Sequence, residues 1–262
     1  MFRTFEISDP RFEWEGLRCV TVKSAALRGR GDITLWVPPD RKPVGTVVLL
    51  HGVYGSHWAW AMKGGAHRTA ARLVASGVIP PWVLAMPSDG LWGDGSGYLA
   101  LATQDFERWV AEDVPAAVAH AVPAMAPNAP CFIAGLSMGG FGALRLAACH
   151  SDRFAAASGH SAVTHLRQLR PFVDESLETC GAPADAWDLL GTILKRRGSL
   201  PPIRFDCGTE DALLDANREL HAALTAAGIP HDYEEFPGGH DWLYWERHLE
   251  RTLRFFAAGV RP

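Results

Sequence analysis

The stretch that decides the fold is Cys131-Phe132-Ile133-Ala134 followed by Gly135-Leu136-Ser137-Met138-Gly139-Gly140. The second run fits the pattern G-x-S-x-G, in which a serine lies on a tight turn between a strand and a helix. The run before it is rich in apolar strand formers, and residues 141–148 after it are rich in helix formers. The flanking glycines let strand and helix pack closely around the turn. The stretch therefore predicts a strand, a turn and a helix that present the Ser137 hydroxyl above a sheet.

Strand and helix patterns alternate along the rest of the chain. Thr46 to Leu50 is a continuous apolar run typical of a strand covered on both faces, and Ala66 to Ser76 has helical character. This alternation predicts an α/β fold with a mostly parallel central sheet and helices on both faces. Residues 162–199 contain helix formers but no clear strand. We therefore expect one domain over residues 1–262, with a small cap-like helical insertion at about 162–199 above the carboxyl ends of the strands.

Two local patterns carry further expectations about the fold. Leu17 to Lys23 and Ile33 to Val37 are predicted to be antiparallel strands, with Gly29-Arg30-Gly31-Asp32 as the turn between them. Gln104 to Val122 is predicted to be a helix in which Pro115 marks a kink or a boundary.

Composition narrows the classes of partner. The chain has 262 residues, 48% of them hydrophobic, and a formal net charge of −4, which argues against a nucleic-acid partner. The first residues lack a secretory signal and no apolar segment reaches membrane-spanning length, so we expect a cytoplasmic protein without a membrane partner. The five cysteines match neither a disulfide framework nor a zinc pattern. We predict no metal and no cofactor. The sequence leaves open whether the protein forms a homo-oligomer.

A serine hydroxyl needs a base and an orienting acid to become a nucleophile at neutral pH, and in this fold the order along the chain is Ser, Asp or Glu, then His. Asp211 lies in Gly208-Thr209-Glu210-Asp211, directly after a predicted strand that ends at Cys207. It is the predicted acid partner of Ser137. Glu210 and Asp215 are the alternatives.

The predicted base is His240, in Pro237-Gly238-Gly239-His240-Asp241-Trp242. This loop follows the last predicted strand and precedes the last helix, and its glycines allow it to bend back towards the serine. Other histidines lie on predicted helices or begin a strand: His120, His150, His221, His248 and His231. His240 combines the required order with a loop position.

Attack on a carbonyl also needs donors for the developing negative charge. One donor is predicted to be the backbone N–H of Met138, directly after the candidate nucleophile. The other is expected in His51-Gly52-Val53-Tyr54-Gly55, which follows the strand ending at Leu50. We predict Val53 N–H as this donor, with Tyr54 second.

Together these motifs resemble the esterase D-like branch of the α/β-hydrolases, which includes S-formylglutathione hydrolases, small-ester esterases, feruloyl and acetyl-xylan esterase domains and mycolyltransferases. The resemblance covers the chain from about Thr46 to the end and implies the α/β-hydrolase fold. It also implies Ser137 as nucleophile, Asp211 and His240 as its partners, and Val53 and Met138 as oxyanion donors. The motifs that carry it are His51 to Gly55, Gly135 to Leu144, Cys207 to Asp211, and Gly238 to Trp242 with Trp245. A clear glutathione signature is absent.

Ten tryptophans are available for substrate contacts or packing. Trp58, Trp60 and Trp92 are expected on loops of the active face and Trp187 on the insertion, where a ring could stack on a sugar or an aromatic acyl group. Packing of the insertion against the body is the competing interpretation. We select Trp58 and Trp92 as substrate-binding candidates, whereas the helical spacing of Trp242 and Trp245 favours the core.

These features predict a serine carboxylesterase that hydrolyses small-acyl or carbohydrate-linked esters through an acyl-enzyme, with a small-molecule ester as its partner. An acyltransferase that uses a sugar or alcohol acceptor on the same fold is the alternative. A non-catalytic binding protein that has kept the fold is a third interpretation, against which the complete Ser-Asp-His set argues.

Overall fold

The computed structural model describes residues 2–89, 95–174 and 176–259. Within these ranges one nine-stranded sheet forms the centre of the molecule. Its strands are β1 (Phe5–Ile7), β2 (Leu17–Ser24), β3 (Gly29–Trp36), β4 (Thr46–Leu50), β5 (Val83–Pro87), β6 (Cys131–Leu136), β7 (Ala157–His160), β8 (Ile203–Gly208) and β9 (Asp232–Phe236).

The helices of the described residues surround this sheet. They are α1 (Ala59–Met62), α2 (Ala66–Ala75), α3 (Phe106–Arg108), α4 (Val114–Ala121), α5 (Met138–Cys149), α6 (Leu189–Lys195), α7 (Leu214–Ala226) and α8 (Trp242–Ala258). A π-helical turn, Trp109–Asp113, joins α3 to α4. Short 3₁₀ segments lie at Leu166–Phe172, Leu177–Thr179 and Ala184–Ala186. Among all the residues that the structure describes, no helix is both long and apolar enough to cross a membrane.

The order of the strands is β1-β2-β3-β5-β4-β6-β7-β8-β9. From β5 to β9 in this order every neighbouring pair is parallel, whereas β1, β2 and β3 pair antiparallel at one edge. The predicted mostly parallel sheet is therefore confirmed. Parallel neighbours bring the carboxyl ends of β6, β8 and β9 to the same side of the sheet, where a site can be assembled.

Two buried cores lie on opposite faces of the sheet, and β4 contributes to both. Val48 and Leu50 belong to the core covered by α4, α5, α6 and α7. Val47 and Leu49 belong to the core covered by α2 and α8. Alternate side chains of a strand point to opposite faces, so burial of all four explains the continuous apolar run. The expected helices on both faces are confirmed.

The predicted turn at Gly29 to Asp32 is wrong. These residues begin β3, and the turn lies at residues 25–28, where Arg28 takes a φ of 53°. Gly31 is required by packing and not by a turn, because a Cβ there would lie 2.5 Å from the ring of Trp109. The glycine therefore allows the Trp109 ring to pack closely against the strand, and this packing explains why a glycine stands there without a turn.

The described residues of the stretch 162–199 form 3₁₀ segments and α6, and they add no strand to the sheet. The stretch follows the carboxyl end of β7, and Phe172 within it lines the same cavity as Ser137. This agrees with the expected position of a small helical insertion. Its description as a cap within a single domain stays a prediction.

Candidate active site

Ser137 lies at the turn between β6 and α5 with a φ of 54° and a ψ of −119°, a strained conformation for a residue with a side chain. A Cβ on Gly135 would overlap the carbonyl oxygen of Gly139, and a Cβ on Gly139 would overlap that of Leu50. The Ser137 N–H donates to the His160 carbonyl at 2.9 Å. The turn is therefore held from both sides, and both glycines of the motif are required by close backbone approach.

Three predicted side chains lie in one hydrogen-bonded line. His240 Nε2 is 3.0 Å from Ser137 Oγ, and His240 Nδ1 is 2.8 Å from Asp211 Oδ2. Because a carboxylate only accepts hydrogen bonds, the proton of the neutral imidazole belongs on Nδ1. The unprotonated Nε2 then faces the serine hydroxyl, which is the arrangement a general base needs.

The electrostatics of Asp211 suit the orienting acid. Burial alone would raise the pKa of its carboxyl group, but the hydrogen bond and charge of His240 and the N–H of Leu213 hold the pKa below its usual value. The group is therefore ionised at neutral pH. The two alternatives lie outside this line: Glu210 is exposed, and the Asp215 side chain is 92% exposed beside Arg218.

Val53 and Met138 both lie near Ser137. Met138 begins α5, while Val53 follows Gly52, where a Cβ would be 3.2 Å from the Ser137 Cβ. Within the described residues, neither the Val53 N–H nor the Met138 N–H donates to another protein group. Both donors predicted for a developing oxyanion are thus next to the serine and unused there.

A buried tyrosine joins the loop of Val53 to the helix that follows Ser137. The Tyr98 hydroxyl donates to the His51 carbonyl at 2.9 Å, and its ring packs where a Cβ on Gly142 of α5 would lie 2.5 Å away. Burial, helped by the charge of Asp89, raises the pKa of Tyr98 well above its usual value. The hydroxyl therefore stays protonated and keeps donating.

A cavity of about 400 Å³ opens above Ser137. Trp58 is 41% exposed and lines it, as expected of a substrate-binding candidate. Trp60 does not, because it is buried and its Nε1 donates to the Leu50 carbonyl. The candidate Trp92 lies outside the described residues. The other lining side chains include Tyr54, Lys63, Phe172, His240, Asp241, Trp242 and Trp245.

Trp242 and Trp245, whose helical spacing favours the core, pack in or against it and also line the cavity. Trp245 is buried, yet it lines the cavity and its ring meets His240 edge-on at 5.0 Å between centroids. Trp242 lies 5.3 Å from Trp245 and also lines the cavity. Their adjacency to His240 in sequence was the signal that could have found them. Lys63 and Phe172 carried no such signal.

A buried charged cluster behind the serine was also missed. Asp206 of β8 contacts His160 Nδ1 at 3.1 Å, an Arg204 guanidinium nitrogen at 2.6 Å and the Tyr244 hydroxyl at 2.8 Å. Burial would raise the pKa of Asp206, but the charges of His160 and Arg204 and these hydrogen bonds lower it well below the usual value. The cluster ties β7, β8 and α8 together, and the His160 carbonyl of this cluster accepts from the Ser137 N–H.

A family model described as "Putative esterase" matches residues 24–256. The chain belongs to this esterase family. The curated acetyl esterase of Caldicellulosiruptor saccharolyticus is 26% identical to this esterase over 238 residues, which cover 83% of this chain and 85% of the relative.

Solved structures share the fold. A ferulic acid esterase superposes on this esterase with a TM-score of 0.80 and 24% identity, covering 99% of this chain and 100% of that one. A fluorophosphonate-binding serine hydrolase of Staphylococcus aureus gives a TM-score of 0.77 and 22% identity, covering 91% and 97%. The predicted α/β-hydrolase fold and the resemblance to its esterase branch are confirmed.

Proposed function

We propose that this esterase is a serine carboxylesterase in which Ser137, His240 and Asp211 form a catalytic triad. The observation that carries the proposal is the line of hydrogen bonds from Asp211 through His240 to Ser137, at 2.8 Å and 3.0 Å. The backbone N–H groups of Val53 and Met138 form the oxyanion hole. The membership of an esterase family supports the same reaction class.

In the first half-reaction, His240 Nε2 takes the hydroxyl proton while Ser137 Oγ attacks the ester carbonyl carbon. The carbonyl oxygen becomes an oxyanion and accepts hydrogen bonds from Val53 N–H and Met138 N–H. Asp211 stabilises the imidazolium. The tetrahedral intermediate then breaks its bond to the alcohol oxygen, which receives the proton from His240 Nε2. The acyl group remains on Ser137 Oγ.

In the second half-reaction, His240 Nε2 takes a proton from water, whose oxygen attacks the acyl carbon. Collapse of the second intermediate releases the carboxylic acid and returns the proton to Ser137. The His240 side chain is 33% exposed, so water can reach the imidazole. This access favours hydrolysis over transfer to a sugar or alcohol acceptor.

The proposed substrates are small-acyl or carbohydrate-linked esters. The cavity of about 400 Å³ suits a small acyl group, and the exposed rings of Trp58 and Tyr54 offer apolar surface for a sugar or aromatic group. An acetyl esterase and a ferulic acid esterase stand among the similar proteins. The cytoplasmic location and the absence of nucleic-acid and membrane partners stay predictions.

The test is hydrolysis of p-nitrophenyl acetate by Ser137→Ala and by the control Ser76→Ala, which changes an exposed serine at the end of α2. We expect kcat to fall by at least about a thousandfold in Ser137→Ala, because nucleophile and base act as a unit. A fluorophosphonate probe should label the wild type and Ser76→Ala but not Ser137→Ala. Retained hydrolysis by a folded Ser137→Ala variant would show that another group performs the attack.

A further inference from the structure

The position of His240 divides the cavity into two sides. In the proposed mechanism its Nε2 protonates the departing alcohol, so the alcohol part of the ester must lie beside the imidazole. The side chains next to His240 are Trp245, whose ring contacts it edge-on at 5.0 Å, and Trp242, which packs on Trp245 at 5.3 Å. We call these two rings the aromatic wall. It borders the side of the cavity through which the alcohol leaves.

A lysine lies at the outer end of the aromatic wall. Lys63 Nζ is 5.5 Å from the centroid of the Trp242 ring, and both residues line the cavity. The next residue, Gly64, lies against the same ring, where a Cβ would be 2.9 Å from Trp242 Cζ3. This close contact places the backbone of Lys63 beside the wall. The ammonium group is held at the ring by a cation–π contact and stays exposed at the mouth of the cavity.

The charge of Lys63 is not neutralised by a described neighbour. Among the described residues, no carboxylate lies within 4.0 Å of Lys63 Nζ, and no other Lys or Arg lines this cavity. The carboxylate that shares the cavity, Asp241, is engaged elsewhere: its Oδ1 accepts from the Tyr244 N–H at 3.0 Å. Asp241 caps the amino end of α8, where the helix dipole stabilises its negative charge. Lys63 therefore leaves a positive charge facing the alcohol side.

We propose that Lys63 and Trp242 form a subsite for an ester whose alcohol part carries a carboxylate. The ring or sugar face of the alcohol packs along the aromatic wall, and its carboxylate pairs with the Lys63 ammonium group. Lys63 is thus a specificity-determining residue rather than part of the chemistry. The proposal rests on the proposed function, because it uses His240 to define the alcohol side.

The experiment compares three acetate esters that share an aromatic alcohol and differ in charge. They are 3-acetoxybenzoate (anionic), 3-acetoxybenzamide (neutral) and 3-acetoxy-N,N,N-trimethylanilinium (cationic). The variants are Lys63→Met, Lys63→Arg and the control Lys42→Met, which removes one charge from an exposed lysine before β4. For each protein, kcat/KM on the charged esters is divided by kcat/KM on the neutral ester, so that a general change in activity cancels.

We expect the anionic-to-neutral ratio to fall about three- to fivefold in Lys63→Met, the range of a partly exposed ion pair. The cationic-to-neutral ratio should rise in the same variant, and both shifts should shrink as salt is added. Lys63→Arg should keep the wild-type anionic ratio, and Lys42→Met should keep both ratios.

Unchanged ratios in Lys63→Met, or the same shift in Lys42→Met, would overturn the proposal. An equal fall in kcat/KM on all three esters would also overturn the proposal, since Lys63 would then support the aromatic wall without distinguishing the charge of the substrate. Failure of the proposed function has a different signature, because Ser137→Ala would then still hydrolyse all three esters.

Discussion

Tyr98 offers a test of how the oxyanion loop is held in place. Its hydroxyl is fully buried and donates to the His51 carbonyl at 2.9 Å, two residues before the proposed donor Val53. Tyr98→Phe deletes this bond without opening a significant cavity, and it leaves the carbonyl short of a donor. Loss of a buried hydrogen bond of this kind costs about 1–3 kcal/mol. We expect the free energy of unfolding, measured in urea, to fall by that amount.

The same substitution should slow the reaction. Complete removal of an oxyanion donor costs about 2.7–4 kcal/mol of activation energy. Tyr98→Phe removes only a tether of the donor loop, so we expect about one third of that cost, which corresponds to a fall in kcat of about five- to ninefold. KM should change little, because the oxyanion forms only in the transition state.

The measurement is steady-state hydrolysis of p-nitrophenyl acetate beside urea unfolding. Tyr233→Phe is the matched control, because it removes a hydrogen bond to Glu235 on the half-exposed β9. It should change stability by no more than about 0.5 kcal/mol and leave kcat near the wild-type value. If Tyr98→Phe loses stability but keeps its full kcat, the loop is positioned without Tyr98 and the reasoning is wrong.

Two further predictions concern charged groups away from the cavity. Asp206→Ala removes an acceptor shared by three buried donors and leaves the Arg204 guanidinium partly unpaired. The free energy of unfolding, measured in urea, should therefore fall by about 3–5 kcal/mol. A loss below about 1 kcal/mol would contradict this expectation. Burial alone would raise the pKa of Glu107, but hydrogen bonds and charge from His150 and Arg145 lower it to about 2. The ionised Glu107 carboxylate therefore stabilises the fold above about pH 4.5, and this contribution is lost as the pH falls towards 2. Between about pH 5 and pH 2, the free energy of unfolding should therefore fall more steeply with pH in the wild type than in Glu107→Gln. Parallel plots of this free energy against pH for the two proteins would show that Glu107 is not responsible.

The residues of the candidate site could be predicted because each one has a local signal and a topological one. Ser137 has glycines that its tight turn requires, and Asp211 and His240 directly follow β8 and β9. Parallel strands end at one edge of the sheet, so residues after different strands meet there. The hydrogen bonds at 2.8 Å and 3.0 Å agree with that reasoning.

Side-chain directions could not be predicted in the same way. Trp60 was expected on a loop of the active face and Trp242 in the core, yet Trp60 is buried and Trp242 lines the cavity. The burial of each ring depends on how the segments that carry them pack against each other, which is a property of the tertiary structure. Gly31 was misread for the same reason, because its need for close packing comes from Trp109, far away along the chain. The periodicity of apolar residues predicts which helices and strands form, but it does not predict which side chain from a distant part of the chain packs against them.

The hydrogen bond between Ser137 and His240 joins positions 103 residues apart in the chain. Closing a loop of that length costs conformational entropy, so local contacts are expected to form sooner than a contact of this span. During synthesis of the chain, the proposed nucleophile Ser137 is therefore made well before the proposed base His240. If Ser137 and His240 act as proposed, hydrolysis requires their contact, so activity regained during refolding reports the formation of this contact and not that of the serine turn.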